Sequence, residues 1–214
     1  MPARYVSQSV KRQEDPPLLM GRAHFIGDLR VSGLLAVKFL RSPHAHARLV
    51  AIDVRGALAL PGVVAVVTGA DLTSTTRPIR AAMSGAGYKE SNWPPLAQGK
   101  VRFVGEPVVA VVATDQYRGE DALDAIRVTY EPLPAVADAE ASMRPGAPRL
   151  HDELPDNIIF HTHFENGSVQ AALESAEIRL AETFRHARCS SSPMESRGVM
   201  ASLDPVDGML TVWA

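Results

Sequence analysis

The stretch that most constrains the fold runs from residue 101 to residue 134, VRFVGEPVVAVVATDQYRGEDALDAIRVTYEPLP. Its valine-rich run, residues 107–113, is too short for a core helix and predicts a buried strand. Thr114 or Asp115 can cap a helix whose apolar residues form a one-sided stripe. Residues 126–130 are again β-branched and end at prolines. The pattern predicts a strand, a helix of about three turns and a second strand.

A similar unit precedes this one. Residues 47–52 predict a strand, Asp53 can cap a short helix, and the Pro-Gly pair at positions 61 and 62 ends that helix. Residues 63–68 then predict another buried strand. We expect the elements before residue 101 to be layers added to the same sheet. Because the two units resemble each other, the first half of the chain is expected to contain two related layers.

Two further strands are predicted on the N-terminal side. Residues 21–28 form a short aromatic-bearing segment between two glycines, which favours a strand. Residues 34–41 alternate, with Leu35, Val37 and Phe39 on one face and Lys38 on the other, as in a half-buried strand.

Three segments lack any helical or strand period. Residues 1–20 contain three prolines and predict an extended arm. Residues 73–99 form a long irregular connection, which in a compact domain is usually functional or part of an interface. Residues 131–157 carry evenly spread prolines and are the best predicted domain boundary.

The C-terminal part predicts short elements. Residues 158–165 favour a strand, and Ser168 can cap a helix over residues 169–175 with Ala172 and Leu173 facing inward. Ile178, Leu180 and Phe184 alternate as in a further strand. A hairpin is predicted from residues 197–203 and 209–214 around DPVDG. Because its last strand stops in mid-pattern, we expect the chain to be incomplete.

Composition excludes several classes of protein. A net charge of −2 with interspersed acids and bases gives no electrostatic case for binding nucleic acid or an anionic membrane. The apolar runs are too short or too broken to span a bilayer, and the polar N-terminus is not a secretory signal. The single cysteine excludes an internal disulfide and any cysteine-only metal or iron–sulfur site. We therefore expect a soluble, cytoplasmic protein.

Two histidine pairs are candidate metal ligands, His44 with His46 and His161 with His163. Alternate residues of a strand point to one face, so each pair could offer two imidazoles to zinc or copper. No third ligand has a spacing that demands it, and the preferred interpretation is a strand edge and a polar strand face. Cys189 and His186 could pair as nucleophile and base, but three residues along a strand point to opposite faces. An ordinary small buried cysteine is the preferred interpretation.

Two carboxylates are candidate site residues. Glu106 directly precedes the buried strand of residues 107–113, where a ligand site is plausible, although a surface acid that anchors a turn is preferred. Glu195 lies beside an arginine in PMESR, and an ion pair or a backbone cap is preferred over a binding role. The Gly85-Ala86-Gly87 run precedes no helix, so a nucleotide fold is unsupported. The residues alone thus predict an α/β protein without a convincing active site.

Four stretches of the chain resemble one known family. YVSQSVKRQEDPPLLMGRAHFIGDL resembles the opening of the molybdenum-containing large subunits of the xanthine dehydrogenase, aldehyde oxidase and carbon monoxide dehydrogenase family. RSPHAHARLVAIDVRGALALPGVVAVVTGADL and GKVRFVGEPVVAVVATDQYRGEDALDAIRVTYEPLPAV resemble the α/β hammerhead domain of that family. GSVQAALESAEIRLAETFRH, followed by SPMESRGVMASLD, resembles the start of its molybdopterin-binding domain.

The resemblance implies an α/β (α+β) fold with a definite order of domains. An N-terminal arm, residues 1–19, would precede the hammerhead domain, residues 20–135. A linker, residues 136–157, would lead to an incomplete molybdopterin-binding domain, residues 158–214. Ala23 stands where the family usually has glycine, and Ser196 where it usually has proline.

The resemblance assigns no catalytic, cofactor-binding or metal-binding residue to this chain. In the family, a glutamine motif beside the metal, a glycine-rich loop that grips the cofactor and a catalytic glutamate all lie further downstream. None of these motifs occurs in the 214 residues. The residues that would select a substrate are likewise expected downstream.

For a full-length subunit the resemblance implies a molybdopterin-dependent oxidoreductase. It would oxidise an aldehyde, an N-heterocycle such as a purine, or carbon monoxide, with water as the oxygen source. An FAD-binding medium subunit and a small subunit with 2Fe–2S clusters would accept the electrons, in a dimer of heterotrimers. The present chain is expected to be inactive alone. The alternative is a non-catalytic structural or docking module that keeps the hammerhead fold.

Overall fold

The computed structural model describes residues 7–80 and 87–214. The chain divides into two compact units. The first unit is Leu34–Arg179, and the second combines the N-terminal residues through Gly33 with Leu180–Ala214. The predicted domain bounds given above are a different division and stay a prediction. The helices and strands, in chain order, are α1 (Asp15–Leu19), β1 (Ala36–Arg41), β2 (Ala47–Asp53), α2 (Arg55–Leu58), β3 (Val63–Thr68), α3 (Gly69–Leu72), β4 (Lys100–Val101), β5 (Pro107–Ala113), α4 (Gln116–Asp124), β6 (Arg127–Pro132), α5 (Ala139–Ser142), α6 (Val169–Ser175), β7 (Met200–Leu203) and β8 (Leu210–Trp213).

The first unit contains two separate antiparallel sheets rather than the single sheet expected from the sequence. One has the strand order β1-β5-β3 and the other the order β4-β2-β6. The two strand–helix–strand units are therefore β2–α2–β3 and β5–α4–β6, and each gives one strand to each sheet. Strands pair between the units, because β3 lies antiparallel to β5 and β2 lies antiparallel to β6.

The core of the first unit lies between these sheets and the helices that follow them. α4 packs on β1, β5 and β3 and contacts α2. Valine dominates the core because β5 is buried along nearly its whole length. The buried core residues are Ala47, Ala57, Ala97, Val101, Val108, Val109, Val111, Ala122 and Ile126.

The alternation in β1 is present, but its apolar face is the exposed one. Val37 and Phe39 are 50% and 42% exposed, whereas Lys38 lies on the side of α4. The Lys38 ammonium is 2.6 Å from the Glu120 carboxylate, and its aliphatic stem covers Gly119. A lysine stem can cover apolar surface while its charged end reaches a carboxylate, so alternation alone does not show which face is buried.

The N-terminus of α4 is capped as predicted. The Asp115 carboxylate accepts hydrogen bonds from the backbone N–H groups of Tyr117 and Arg118, each at 3.0 Å. Substituting Asp115 with alanine should lower the free energy of unfolding by about 1 kcal/mol, because two N–H groups of the first turn lose their acceptor. Asp115→Asn keeps a side-chain oxygen and should lose less. Urea unfolding of both variants checks this, and equal losses would contradict the capping role.

The segment predicted as a linker is fixed to the first unit. We name residues 133–157 the strap. The Leu133 N–H donates to the His46 carbonyl at 2.9 Å, and the Asp152 and Asp156 carboxylates lie 2.8 and 2.7 Å from the ammonium groups of Lys100 and Lys89. The Asn157 side chain fixes the shape of the strap by bonding three of its backbone groups. The strap also contains the short helix α5.

Several local predictions for the ends of the chain are wrong. Asp15–Leu19 forms a helix instead of an extended arm, because Pro16 and Pro17 occupy its first turn, where a missing N–H costs nothing. Residues 1–6 of that predicted arm lie outside the described residues. Ile26–Asp28 is a 3₁₀ helix rather than part of a strand.

In the C-terminal part, α6 and the β7–β8 hairpin are confirmed, but two predicted strands are not present. Residues 158–165 and the alternating set Ile178, Leu180 and Phe184 lie in irregular chain. α6 has no buried residue, so Ala172 and Leu173 do not face a core within the described residues. The Ser168 side chain makes no capping hydrogen bond. Alternation of apolar residues predicts a strand only where a neighbouring strand and a core are available.

Among the described residues no helix is both long and apolar enough to cross a membrane.

Candidate functional site

A cleft of about 370 Å³ lies between the strap and the sheet β4-β2-β6 of the first unit. The sheet side contributes His46, Arg48 and Lys100, and the strap contributes Arg149 and Asp152. No sequence pattern predicted this combination, because Lys100 and the strap residues are distant in the chain and lie in or beside segments without a helical or strand period.

Lys100 is the main buried charge of the cleft. The residue is only 7% exposed. Its ammonium donates to the Asp152 carboxylate at 2.8 Å and lies 3.5 Å from the Arg149 carbonyl. This contact, above all the hydrogen bond from Lys100, holds the pKa of Asp152 below its ordinary value. A buried ammonium needs such partners, because an isolated charge is costly to remove from water.

His44 and His46 precede β2 and have different roles. The His46 ring is buried, and its Nδ1 lies 2.7 Å from the Pro134 carbonyl, to which it donates. Its Nε2 is buried without a hydrogen-bond partner. The His44 ring packs on the Tyr130 ring, with 4.8 Å between the ring centroids. The pair therefore does not present two imidazoles to one point, since one ring is tied to the strap and the other stacks on β6.

The second histidine pair lies in irregular, exposed chain. His163 Nε2 is 3.7 Å from the Glu165 carboxylate, and both side chains are largely in solvent. Within residues 7–80 and 87–214, no three His, Cys, Asp or Glu side chains are grouped as metal ligands. Cys189 is exposed, not buried as predicted, and its Sγ is 3.6 Å from the Ala187 carbonyl.

Glu106 is a buried anchor rather than a surface acid. It is 7% exposed, and its carboxylate accepts a hydrogen bond from the Arg102 N–H and lies 3.7 Å from the Arg102 guanidinium. The Glu106 carbonyl also accepts from the Ser42 N–H at 2.9 Å. Burial raises the pKa of Glu106 despite the nearby arginine. The predicted turn-anchoring role is therefore correct and the predicted surface position is wrong.

A histidine near Arg102 is also perturbed. Burial and the positive charge of Arg102 lower the pKa of His151, although the Glu153 carboxylate at 3.5 Å opposes them. The Glu153 carboxylate accepts from the Asn92 N–H at 3.0 Å. These contacts join the strap to the loop before β4, so they have a structural role.

The second unit has its own shallow cleft of about 420 Å³, lined in part by His24, Phe25, Glu195 and Trp213. The Glu195 carboxylate accepts a hydrogen bond from the Ile26 N–H at 2.9 Å, across 169 residues of sequence. This is the backbone cap that the sequence predicted as the preferred role of Glu195. It joins the PMESR segment to the N-terminal 3₁₀ helix.

Neither cleft fits a molybdopterin cofactor. The cleft of the first unit is walled mainly by charged side chains, and that of the second unit is lined mostly by apolar and aromatic residues. Gly85 and Ala86 of the glycine run lie outside the described residues, and Gly87 adopts a positive φ before no helix.

Acid should destabilise the first unit through its paired carboxylates. A carboxyl group with a lowered pKa stabilises the fold above its unfolded pKa, and this contribution is lost as the pH falls through its folded pKa. Glu106, whose pKa is raised, has the opposite effect, because its protonated form is favoured in the folded state. The groups with lowered pKa values in this unit include Asp53, Asp71, Asp115, Asp152 and Asp156.

We expect the free energy of unfolding to fall between about pH 5 and pH 3, since the lowered groups outnumber the raised one. Asp152→Asn should reduce this loss, because the carboxyl paired with Lys100 no longer titrates. The exposed Asp121→Asn on α4 is the matched control. Urea unfolding at several pH values measures the difference. A steeper acid loss in Asp152→Asn than in the unmodified chain would contradict the assignment.

Two family models match the chain. The model described as "Aldehyde oxidase and xanthine dehydrogenase, a/b hammerhead domain" matches residues 20–134, and the model described as "Molybdopterin cofactor-binding domain" matches residues 150–214. Both matches follow the order implied by the sequence resemblance.

Known proteins agree with these matches. The chain is 36% identical over 208 residues to the nicotine 6-hydroxylase large subunit of Paenarthrobacter nicotinovorans, covering 97% of this chain and 25% of that protein. It is 34% identical over 216 residues to the carbon monoxide dehydrogenase large chain of Afipia carboxidovorans, covering 95% of this chain and 26% of that protein. The crystal structure of quinoline 2-oxidoreductase from Pseudomonas putida 86 matches with a TM-score of 0.88 and 42% identity, over 96% of this chain and 26% of that one. The chain thus spans about a quarter of the length of these relatives.

Proposed function

Because the chain belongs to the xanthine dehydrogenase, aldehyde oxidase and carbon monoxide dehydrogenase family of molybdenum-enzyme large subunits, we propose that it is the N-terminal scaffold of such a subunit. In this role residues 20–134 supply the hammerhead domain and residues 150–214 begin the cofactor-binding domain. The observation that carries the proposal is the pair of consecutive family matches, which together leave few residues of the chain unassigned.

The exposed apolar surface of the second unit supports a scaffold that packs against further protein. Phe184, Met194 and Val206 are each more than nine-tenths exposed. The β7–β8 ribbon is two-stranded, and an isolated two-stranded ribbon is at best marginally stable in water. Additional strands and a core from the rest of a large subunit would bury these side chains.

We propose that the full-length subunit binds a molybdopterin-type cofactor and oxidises an electron-poor carbon with oxygen taken from water. The cofactor would supply the redox chemistry, while residues outside this chain would grip it and provide the base. An N-heterocycle is the favoured substrate class, because two of the relatives named above are a nicotine hydroxylase and a quinoline oxidoreductase. Aldehydes and carbon monoxide are the other classes that the family offers.

We propose that electrons leave through separate FAD-binding and iron–sulfur subunits in the cytoplasm. Relatives are named as large subunits or large chains, which supports partner subunits. These 214 residues contain a single cysteine and so supply no all-cysteine ligand set for a 2Fe–2S cluster, which supports clusters held elsewhere in the complex.

The alternative is a docking module that has kept the hammerhead and lost the chemistry. The well-packed core of the first unit favours it, because that unit has its own buried core and two sheets. Such a module would function without molybdenum and without the partner subunits.

Metal analysis of two preparations separates the proposals. The protein carrying an N-terminal tag is purified from its native host, and the 214-residue chain is expressed alone. We expect stoichiometric molybdenum, with co-purifying flavin and iron, in the native preparation and no molybdenum in the isolated chain. Stoichiometric molybdenum in the isolated chain would overturn the scaffold role. A native product that ends at Ala214 and lacks molybdenum would establish the docking module.

A further inference from the structure

We infer that the cleft between the strap and the sheet β4-β2-β6 binds a small oxyanion, either a phosphate or a carboxylate group. This site lies wholly within the first unit and does not depend on the molybdenum chemistry proposed above. Three features of the cleft support an anion site: an excess of positive charge, a buried ammonium group that faces the cleft, and the volume of the cleft.

Cationic groups outnumber carboxylates at the cleft. Arg48, Lys100 and Arg149 line it, whereas Asp152 is the sole acid among the described lining residues. Asp152 is already paired with Lys100 at 2.8 Å. Neither arginine forms an ion pair with this carboxylate, although the charge of Arg149 helps to lower the pKa of Asp152. The lining keeps an excess of positive charge, so an anion would find an attractive potential there.

The two arginines have spare donors. Arg149 donates to the Leu154 carbonyl at 3.1 Å and forms no ion pair with a carboxylate of the described residues. Arg48 has only a long contact of 3.9 Å with the exposed Glu131 carboxylate. A guanidinium group carries five N–H donors in a planar fork that matches the oxygens of carboxylate and phosphate. Most of these donors are free for a ligand at this cleft.

Lys100 provides a fixed charge at the base of the site. Its side chain is 9% exposed, and its ammonium has two protein partners, the Asp152 carboxylate and the Arg149 carbonyl. An ammonium has three N–H donors, so one donor remains. Because the side chain is held by burial, this donor needs little further ordering to meet an anion, and hydrogen bonds from charged donors are the strong ones.

The size of the cleft limits the ligand. A volume of about 370 Å³ lies at the lower end of the range for small-molecule sites. Inorganic phosphate or a short carboxylate fits with its water shell, whereas a dinucleotide does not. The strap, which forms one wall, would be held more firmly to the sheet by an anion that contacts Arg149 on one side and Arg48 on the other.

Isothermal titration of the intact chain tests the site, with sodium phosphate and sodium acetate as separate probes at constant ionic strength. We expect saturable binding of one of them, and the probe that binds identifies the phosphate or carboxylate class. Arg149→Gln and Arg48→Gln should each weaken binding by about tenfold, because each removes a charge-assisted hydrogen bond. Arg144→Gln, the same charge change on the strap outside the cleft, should leave the affinity unchanged.

Circular dichroism establishes that each variant is folded. Because the Arg48 side chain is exposed, we expect Arg48→Gln to fold normally. Absence of binding by both probes would overturn the inference. Binding that Arg144→Gln weakens as much as Arg149→Gln would also overturn it, since the anion would then respond to net charge rather than to the cleft. The molybdenum content of the native protein is measured separately, so failure of this site and failure of the proposed function are distinguishable.

Discussion

Substituting Glu106 with leucine is expected to lower the free energy of unfolding of the first unit by about 3–5 kcal/mol. The variant leaves the Arg102 guanidinium, whose side chain is 15% exposed, without its carboxylate. It also removes the acceptor of the Arg102 N–H. Removing one partner of a buried pair is costly because the remaining charge stays desolvated. Urea unfolding followed by Trp93 fluorescence in a Trp213→Phe background measures the loss in this unit.

Two companion variants test the reason for that loss. Glu106→Gln keeps an oxygen acceptor for the Arg102 N–H but removes the negative charge, so it should lose less stability than Glu106→Leu and retain the part of the loss that comes from the unpaired guanidinium. The double variant Arg102→Met with Glu106→Leu removes both charges and should recover much of the stability, because an apolar pair of similar volume often replaces a buried ion pair without loss. If the double variant were as unstable as Glu106→Leu, the uncompensated arginine would not be the cause.

The elements that the sequence predicted well are those in which local signals and burial agree. β5 combines β-branched residues with burial along nearly its whole length, and Asp115 caps α4 by bonds within three residues. The β7–β8 hairpin is likewise set by its turn, since the Asp204 carboxylate accepts from the Val206 N–H at 2.8 Å. Such elements are readable from sequence because each is stabilised by neighbours in the chain.

The pairing of strands was not readable in this way. Both strand–helix–strand units predict adjacent strands, yet each unit divides its strands between two sheets. The deciding contacts are long-range pairs such as Val66 with Val111 and Ile52 with Val128. A periodic pattern shows which residues share a face of a strand, but it does not show which other strand pairs with it. The same limit explains β1, whose apolar face is exposed within the described chain.

The candidate site depended even more on distant residues. The position of Glu195 beside an arginine in PMESR made it a candidate site residue. Its carboxylate caps the Ile26 N–H, which lies 169 residues away in the chain. Lys100 and Arg149 carried no sequence signal, since a lysine at a strand start and an arginine in a proline-rich segment are ordinary surface patterns. Only the folded strap makes Lys100 a buried charge, through contacts 49 and 52 residues away.

Gly69→Ala is expected to lower the free energy of unfolding of the first unit by about 3 kcal/mol, because overpacking against rigid atoms forces the backbone to move. Gly69 begins α3, and a Cβ atom there would overlap the Ala97 carbonyl oxygen. The approach is close because the Gly69 carbonyl accepts a hydrogen bond from the Gln98 side chain at 2.9 Å.

Gly119→Ala is the matched control in the same unit. Its Cβ would press only on the flexible Lys38 stem, at 2.8 Å from Cγ, and would lie at an ordinary contact distance of 3.8 Å from Ala113 Cβ. Alanine is also favoured over glycine within a helix such as α4. The free energy of unfolding of that variant, measured in urea, should stay within about 1 kcal/mol of that of the unmodified chain. Equal losses at both positions would show that the loop before β4 yields as readily as a lysine side chain, and the close packing of α3 on that loop would then have no energetic role.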